Sequence, residues 1–270
     1  MAMTLFPWFP RPPVVTVLRL SGIIAAGGGM LRGGLNIANQ AALIEAAFRP
    51  KRLAAVAVVV NSPGGSAAQS ALIGRRIRAL AAEKTVPVLA FVEDVAASGG
   101  YWLAAAADEI FADETSIVGS IGVVSAGFGL DQAMARLGIE RRVHTRGERK
   151  RMLDPFLPER PEDVARLEEL QGDIHQAFIT WVRDRRGSRL KETGTDLFNG
   201  DIWTGQRALA LGLIDGISDI RTTCRARFGD KVRLRPVSER RSWLRRRFAL
   251  EAPDLLATIE ERLGWARWGL

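Results

Sequence analysis

Apolar residues in the first half of the chain form short continuous runs, each ended by turn-forming residues. The predicted strands span residues 14–24, 53–60 and 86–92. Runs of this length, rich in Val, Leu and Ala, are typical of buried strands in a parallel sheet. Helical spacing is found at residues 36–48, 66–82 and 99–107, with Ser66 as the N-cap of the second helix. Strands that alternate with helices predict βαβ crossovers and an α/β fold, with a mostly parallel sheet flanked by helices.

The second half of the chain is less regular. Short strands are expected at residues 108–112, 117–124 and 142–145, and helices at 130–137, 162–185 and 205–213. The segment 162–185 carries apolar residues along one side, as a long amphipathic helix does. These residues are Val164, Leu167, Leu170, Ile174, Phe178 and Val182.

Composition divides the chain into three segments. Residues 1–13 form a Pro-rich and aromatic N-terminal arm, and residues 14–230 form the core domain. Residues 231–270 form a basic, Trp-containing extension that suits an interfacial helix or a subunit-docking arm. A Gly-rich stretch at 25–34 is interpreted as a loop.

Charge and cysteine content narrow the function classes. The 270 residues are 47% hydrophobic, enough for a substantial core, and carry a formal net charge of +8 concentrated at 141–151 and 235–247. Such charge permits contact with nucleic acid or anionic lipid, or is simply a solvated basic face. The single cysteine, Cys224, excludes an intrachain disulfide framework and a cysteine-rich metal site. We expect no metal, no cofactor and no nucleic-acid partner.

No apolar stretch reaches the about 18 residues of a transmembrane helix, and the N-terminus lacks the pattern of a signal peptide. These features predict a cytoplasmic protein. Peripheral contact with the inner face of a membrane, through the C-terminal extension, is the alternative that the sequence leaves open.

Candidate chemistry begins at Ser98, in the run Ala97-Ser98-Gly99-Gly100 directly after the predicted strand at 86–92. A small-residue turn at the carboxyl end of a strand is where a sheet enzyme holds a nucleophile. The turn Asn-Ser-Pro-Gly-Gly at 61–65 also follows a strand. Its Gly65 and the neighbouring Gly99 offer backbone N–H groups that would stabilise an oxyanion. Each motif alone is also compatible with a plain turn.

A serine nucleophile needs a base, and the chain has two histidines. His175 falls in the long helical pattern, where a packed or surface histidine is usual, and His144 has no obvious acid to orient it. A lysine is the alternative, provided that it is kept neutral. From composition alone Lys150 is just one of several lysines, and a solvated basic cluster is the favoured interpretation of its surroundings.

Five short motifs occur in an order that resembles the S49 family of serine peptidases, the signal peptide peptidase A type with its short SohB-like members. They are residues 61–65 (Asn-Ser-Pro-Gly-Gly), 97–101 (Ala-Ser-Gly-Gly-Tyr), 119–123 (Gly-Ser-Ile-Gly-Val), 147–150 (Gly-Glu-Arg-Lys) and 203–215 (Trp-Thr-Gly-Gln-Arg-Ala-Leu-Ala-Leu-Gly-Leu-Ile-Asp). Each motif is weak alone, but five in order are specific. The resemblance runs from about Val14 to Ile220, some three-quarters of the chain.

The resemblance implies a ClpP/crotonase-like fold and a Ser-Lys dyad. By position, Ser98 matches the nucleophile, Lys150 the general base, and Ser120 a serine that orients the lysine amine. The N–H groups of Gly65 and Gly99 match the oxyanion hole. The implied activity is cleavage of short or unfolded apolar peptides, with remnant signal peptides as a candidate, by a homo-oligomer.

Two other functions remain open at this stage. Crotonase relatives use a similar pair of amides on acyl-CoA thioesters and need a nearby carboxylate, for which Glu93 and Asp94 are candidates. A non-enzymatic scaffold on a membrane surface would use the Arg-rich tail. Many members of the family carry an N-terminal membrane anchor, for which we expect no counterpart here. Arg149 and Arg151 flank the candidate base.

Overall fold

A sheet of eight strands runs through the part of the chain that the structure, a computed structural model, describes: residues 12–26, 34–191 and 194–238. The strands are β1 (Val14–Ser21), β2 (Leu53–Ser62), β3 (Val88–Ala97), β4 (Glu109–Ala112), β5 (Ile117–Gly119), β6 (Ile202–Thr204), β7 (Gly216–Ile217) and β8 (Arg233–Pro236). The sheet order is β6-β5-β3-β2-β1-β8, with β4 beside the first part of β3 and β7 beside β4. All pairings are parallel except that of β5 with β6.

Helices cover both faces of this sheet. They are α1 (Ile37–Phe48), α2 (Ala67–Lys84), α3 (Gly99–Ala104), α4 (Asp131–Arg136), α5 (Pro161–Arg186), α6 (Gly205–Ala210) and α7 (Ile220–Phe228). The larger core packs α1, α2, α3 and α5 on one face. The smaller core packs α7 on the other, around Val15, Leu89 and Cys224. Because both faces are covered, the central strands are apolar without alternation.

The predicted architecture, an α/β fold with a mostly parallel sheet flanked by helices, is confirmed. Ser66 caps α2 as expected, since its side chain accepts a hydrogen bond from the N–H of Gln69. The strand expected at 142–145 is wrong, because the structure has no regular element there. Only Val143 in that stretch is apolar, and its neighbours are exposed, so a strand would bury nothing.

Residues 122–160 form an arm that leaves the sheet after β5 and returns at α5. Within this fully described segment no residue is buried, although it contains α4 and a 3-10 turn at Glu148–Arg151. The arm is held mainly by contacts between its own residues. The N–H of Leu130 donates a hydrogen bond to the carbonyl of Pro155. Asp154 forms ion pairs with Arg141 and Arg151. A segment with so little buried apolar surface gains little stability from the rest of the chain.

The sheet continues past the boundary proposed at residue 230, because β8 pairs with β1. That boundary stays a prediction. Residues 1–11 of the N-terminal arm, residues 27–33 of the Gly-rich loop and residues 239–270 of the C-terminal extension lie outside the described residues. Among the helices that are described, none has the length and apolarity needed to cross a bilayer.

Candidate active site

Ser98 forms the turn between β3 and α3. Its φ of 52° lies in the left-handed region, which costs a non-glycine residue about 1 kcal/mol or more. Two hydrogen bonds hold the turn: the Ser98 N–H donates to the Gly119 carbonyl (2.8 Å), and the Trp102 N–H donates to the Ser98 carbonyl (3.1 Å). The half-buried serine is therefore fixed at the carboxyl end of the sheet, where parallel sheets bind ligands.

The glycine turn after β2 lies directly against Ser98. A Cβ added to Gly64 would lie 2.8 Å from the Cβ of Ser98, and one added to Gly99 would lie 3.4 Å from the Gly65 nitrogen. Among the hydrogen bonds of the described residues, the N–H groups of Gly65 and Gly99 have no acceptor. Two unpaired amides beside a serine hydroxyl form the arrangement that stabilises an oxyanion.

Gly65 has to be glycine for two reasons. Its φ is 135°, a conformation that residues with a side chain rarely adopt. A Cβ there would also lie 2.1 Å from the carbonyl oxygen of Ile24, which accepts a hydrogen bond from the Ser66 N–H. The backbone of the 61–65 motif can therefore approach Ile24 only without a side chain at position 65.

Ser120 directly follows β5, the strand that pairs with the end of β3. Ala97 pairs with Gly119 across β3 and β5, so the two serines follow directly after paired residues. Ser120 is 9% exposed, and its N–H donates to the carbonyl of Asp201 (2.6 Å). Both serines line one cleft of about 660 Å³, together with Gly65 and Gly99. The structure thus brings four of the five predicted site residues together.

Lys150, the fifth, is not among the residues that line this cleft. It lies on the 3-10 turn of the arm, and its side chain is exposed. The arm carries large apolar side chains into solvent as well, with Phe128 86% and Leu137 73% exposed. Within a single chain, therefore, the described residues place the candidate base apart from the candidate nucleophile.

His175 is a cleft residue that the sequence analysis did not select. It lies on α5, and its Nε2 is 3.2 Å from the carbonyl oxygen of Ile121. Among the described residues that line the cleft, His175 alone has a titratable side chain. The helical pattern contained a usable signal, because His175 is three residues before Phe178 and seven before Val182, both of which are buried.

Apolar and aromatic side chains form much of the remaining cleft wall. Trp102 and Phe178 stack with their ring centroids 4.6 Å apart, and Trp181 extends the stack behind Trp102. The further apolar lining residues are Pro63, Ala67, Val123, Val124 and Ile174. No carboxylate, lysine or arginine lines this cleft in the described part of the chain. It therefore offers an apolar surface to a bound chain.

Buried hydrogen bonds hold α3 and α5 against the 203–215 motif. The hydroxyl of Tyr101 donates to the carbonyl of Leu213 (2.7 Å), and burial raises the pKa of this phenol well above its usual value. The fully buried Arg186 donates to both carboxylate oxygens of Asp215 and to the carbonyl of Gly212. The bond of Tyr101 connects the 203–215 motif to α3, which follows Ser98, and the bonds of Arg186 connect the same motif to α5.

The carboxylates of the crotonase alternative point to other partners. Glu93 forms a two-point ion pair with Arg19, which raises the pKa of that guanidinium. Asp94 accepts a hydrogen bond from the side chain of Asn61 (2.6 Å). Neither acid lines the Ser98 cleft. Within the described ranges, no group of three or more His, Cys, Asp or Glu side chains is arranged to bind a metal ion.

A protein-family model matches more than half of this chain. The model for "Peptidase family S49" matches residues 80–231, more than half of the chain, and this range includes Ser98, Gly99, Ser120 and Lys150. The turn at 61–65 lies before it. The match agrees with the resemblance drawn from the five motifs.

Two curated relatives extend the likeness over more of the chain. A protein of Brucella abortus named Na(+)/H(+) antiporter NhaA is 48% identical over 95% of this chain. The chloroplastic serine protease SPPA of Arabidopsis thaliana is 34% identical over 73% of it. The chain spans only 37% and 30% of these two relatives, so their names describe much longer proteins.

A solved structure confirms the fold. A membrane-bound stomatin-specific protease, in mutant form, superposes with a TM-score of 0.51 and covers 86% of this chain and 100% of its own. At 15% sequence identity this likeness concerns the fold alone. The expected ClpP/crotonase-like fold is thereby confirmed, with the serine turn at the carboxyl edge of its sheet.

Proposed function

The chain belongs to peptidase family S49, and from this premise we propose that it is a serine peptidase that cleaves short or unfolded apolar peptides with Ser98 as nucleophile. The observation that carries the proposal is the position of Ser98 beside the unpaired amides of Gly65 and Gly99. Backbone strain clusters at active sites, and two free N–H donors beside a serine hydroxyl are the groups that stabilise an oxyanion.

The proposed reaction passes through an acyl-enzyme. Neutral Lys150 takes the proton from the Ser98 Oγ as this oxygen attacks the peptide carbonyl, and the Gly65 and Gly99 amides bind the oxyanion. The lysine then gives the proton to the departing amine as the C–N bond breaks. Water repeats the attack on the ester, which releases the acid and restores Ser98. Ser120 would orient the lysine amine.

We attribute the base of each site to a second copy of the chain. Lys150 is exposed on an arm that has no buried residue, and Phe128 and Leu137 on the same arm expose large apolar side chains. Six large apolar side chains of this one arm are exposed, and exposed apolar surface concentrated in one region is typical of protein–protein contacts. A homo-oligomer in which the arm of one subunit covers the cleft of the next would bury them and deliver the amine.

The walls of the cleft support the proposed substrate class. Trp102 and Phe178 offer an apolar floor, and no charged side chain among the described lining residues would pair with an acidic or basic substrate. Unfolded peptides with small or apolar side chains at the scissile bond fit this surface. Remnant signal peptides are such peptides, and a cytoplasmic enzyme touching the membrane periphery through residues 236–270 would meet them.

The rival functions have less support. An acyl-CoA enzyme needs a free carboxylate at the amide pair, whereas Glu93 and Asp94 are engaged with Arg19 and Asn61. Thioester turnover that survives Ser98→Ala would favour it nonetheless. A purely structural membrane scaffold would bind vesicles through residues 236–270 and lack hydrolase activity.

A fluorophosphonate probe tests the proposal directly. We expect covalent labelling of the full chain at Ser98, found by peptide mapping, and complete loss of labelling in Ser98→Ala. Ser125→Ala is the matched control, because Ser125 is exposed on the arm and does not line the cleft. Labelling at another serine, or cleavage of an apolar peptide by Ser98→Ala at the wild-type rate, would overturn the assignment.

A further inference from the structure

The proposed reaction gives no role to His175, although its ring lines the cleft with Ser98 and Ser120. We propose that His175 is a positioning residue that holds Ser120 in place through the carbonyl of Ile121. The inference rests on the proposed function, in which Ser120 orients the amine of Lys150. His175 itself transfers no proton in this scheme.

The chemistry of the contact fixes the state of the ring. A carbonyl oxygen only accepts hydrogen bonds, so the Nε2 of His175, 3.2 Å from the Ile121 oxygen, must carry a hydrogen. In the neutral ring this leaves the lone pair on Nδ1. A doubly protonated ring still donates from Nε2, so the bond from α5 to Ile121 persists in either protonation state.

The segment that this bond reaches is strained and needs to be held. Ser120 has a φ of 53°, and Gly119 before it has a φ of 115°. The Ser120 N–H donates to Asp201, and its carbonyl accepts from the Gly122 N–H (3.0 Å). A strained conformation persists only where the surroundings over-determine it. His175 on α5 supplies a further contact, a hydrogen bond to the carbonyl of Ile121, the residue after Ser120.

The expected consequence concerns turnover more than binding. Without the bond, Ser120 is free to relax toward a less strained conformation, and its hydroxyl moves away from the amine that it orients. Small displacements of a positioned group reduce the rate of the chemical step. Since the apolar walls that bind substrate stay in place, kcat falls while KM changes little.

Two substitutions separate the hydrogen bond from the ring. His175→Ala removes the donor, and we expect kcat to fall about tenfold, the effect of one neutral hydrogen bond. His175→Gln keeps an N–H donor at nearly the same reach as Nε2, and its kcat should stay within about threefold of wild type. Gln176→Ala, on the exposed neighbouring position of α5, is the control and should leave kcat unchanged.

A double-mutant cycle tests whether His175 acts through Ser120. If it does, His175→Ala combined with Ser120→Ala will be no slower than Ser120→Ala alone. Independent effects would instead multiply, and that result would overturn the proposal. A His175→Gln variant as slow as His175→Ala would overturn it too, because the ring would then do something that an amide donor cannot.

Nitrogen NMR separates failure of this inference from failure of the proposed function. The chain has two histidines, and His144→Gln assigns the ring signals. We expect the His175 ring in the Nε2–H form, with that signal absent from His175→Gln. An Nδ1–H form would overturn the bond to Ile121 whatever the activity. An intact Nε2–H signal in a protein whose Ser98 takes no probe would count against the peptidase proposal alone.

Discussion

Ser98 and Ser120 leave adjacent parallel strands at the same level, and both adopt a left-handed backbone, with φ of 52° and 53°. The two serines lie at the same level because the residues before them, Ala97 and Gly119, are paired across β3 and β5. The Ser98 N–H also donates a hydrogen bond to the Gly119 carbonyl, which extends the pairing to Ser98. Sheet register therefore sets where the backbones of the two serines lie relative to each other. Their spacing does not depend on the exposed arm that follows.

Complementation between inactive variants will show whether the base comes from another subunit. Ser98→Ala and Lys150→Ala should each lose about 10³-fold or more in kcat/KM. If Lys150 of the partner subunit completes each site, the two variants co-expressed at equal levels form some intact sites. Random mixing restores about a quarter of the wild-type activity. An intact site needs a subunit that keeps Ser98 on one side of the contact and a subunit that keeps Lys150 on the other, and each has a chance of about one half.

The control for this experiment is the double variant, Ser98→Ala with Lys150→Ala on one chain, co-expressed with the Ser98→Ala chain. No subunit in that mixture carries Ser98, so it must stay inactive. A site built within one chain predicts no recovery from the first mixture either. Such a result, with oligomers confirmed by sizing, would remove the shared site.

Much of the site could be predicted from sequence because it depends on strand ends. Ser98, Gly65 and Gly99 each follow an apolar run, and the carboxyl ends of parallel strands meet at one edge. The position of Lys150 could not be predicted in this way, since the arm has no periodic apolar pattern to fix where it packs. The resemblance gave Lys150 a role without giving its location.

Two other features escaped prediction for opposite reasons. His175 lies in a helical pattern in which a cleft residue and a packed residue look alike, and its contact with Ile121, two residues after β5, is a tertiary contact. The strand β8, with the sequence Arg-Leu-Arg-Pro, looks like polar tail. Its arginines are exposed because β8 is an edge strand, and backbone pairing with β1 stabilises it without an apolar pattern.

The rate should rise with pH if a lysine amine is the base. Lys150 accepts the Ser98 proton only when it is neutral, and the neutral fraction of an amine grows toward alkaline pH. We expect kcat/KM for an apolar chromogenic peptide to increase across the range from about pH 6 to 10. A flat profile over that range, in a protein shown to stay folded and oligomeric, would contradict a titrating amine.

Glycine-to-alanine changes at positions 65 and 172 should have opposite effects. Gly65→Ala adds a Cβ 2.1 Å from the Ile24 carbonyl at a φ of 135°, so the turn must shift and one oxyanion donor moves. We expect kcat to fall about 10²-fold and the unfolding free energy to fall by more than about 1 kcal/mol.

Gly172→Ala is the matched control for that change. Gly172 lies within α5, and a Cβ there would meet no atom within 4 Å. Higher helix propensity should raise the unfolding free energy by about 0.5–1 kcal/mol and leave kcat unchanged. Denaturant unfolding and peptide kinetics measure both variants. Equal kcat in the wild type and Gly65→Ala would exclude the Gly65 amide from the oxyanion hole.

The N-cap of α7 should make stability depend on pH in a defined direction. The Asp219 carboxylate accepts hydrogen bonds from the Thr222 hydroxyl and from the N–H groups of Thr222 and Arg221, and these lower its pKa. A lowered pKa means that the contribution is present above the pKa of the unfolded chain, about 4, and is lost as the pH falls through the folded value. Asp219→Ala should therefore cost about 1 kcal/mol near pH 7 and less in acid.

Thermal unfolding at pH 7 and pH 3 measures how the cost of Asp219→Ala depends on pH. Two control variants accompany it. Asp219→Asn keeps a capping oxygen without a titrating group, so its difference from Asp219→Ala should change less with pH. Asp230→Ala removes an exposed carboxylate that has no hydrogen bond among those described, and it should leave the midpoint nearly unchanged. An equal cost of Asp219→Ala at pH 3 and at pH 7 would contradict this prediction. The hydrogen bonds from Thr222 and Arg221 would then stabilise the start of α7 no more with an ionised Asp219 than with a neutral one.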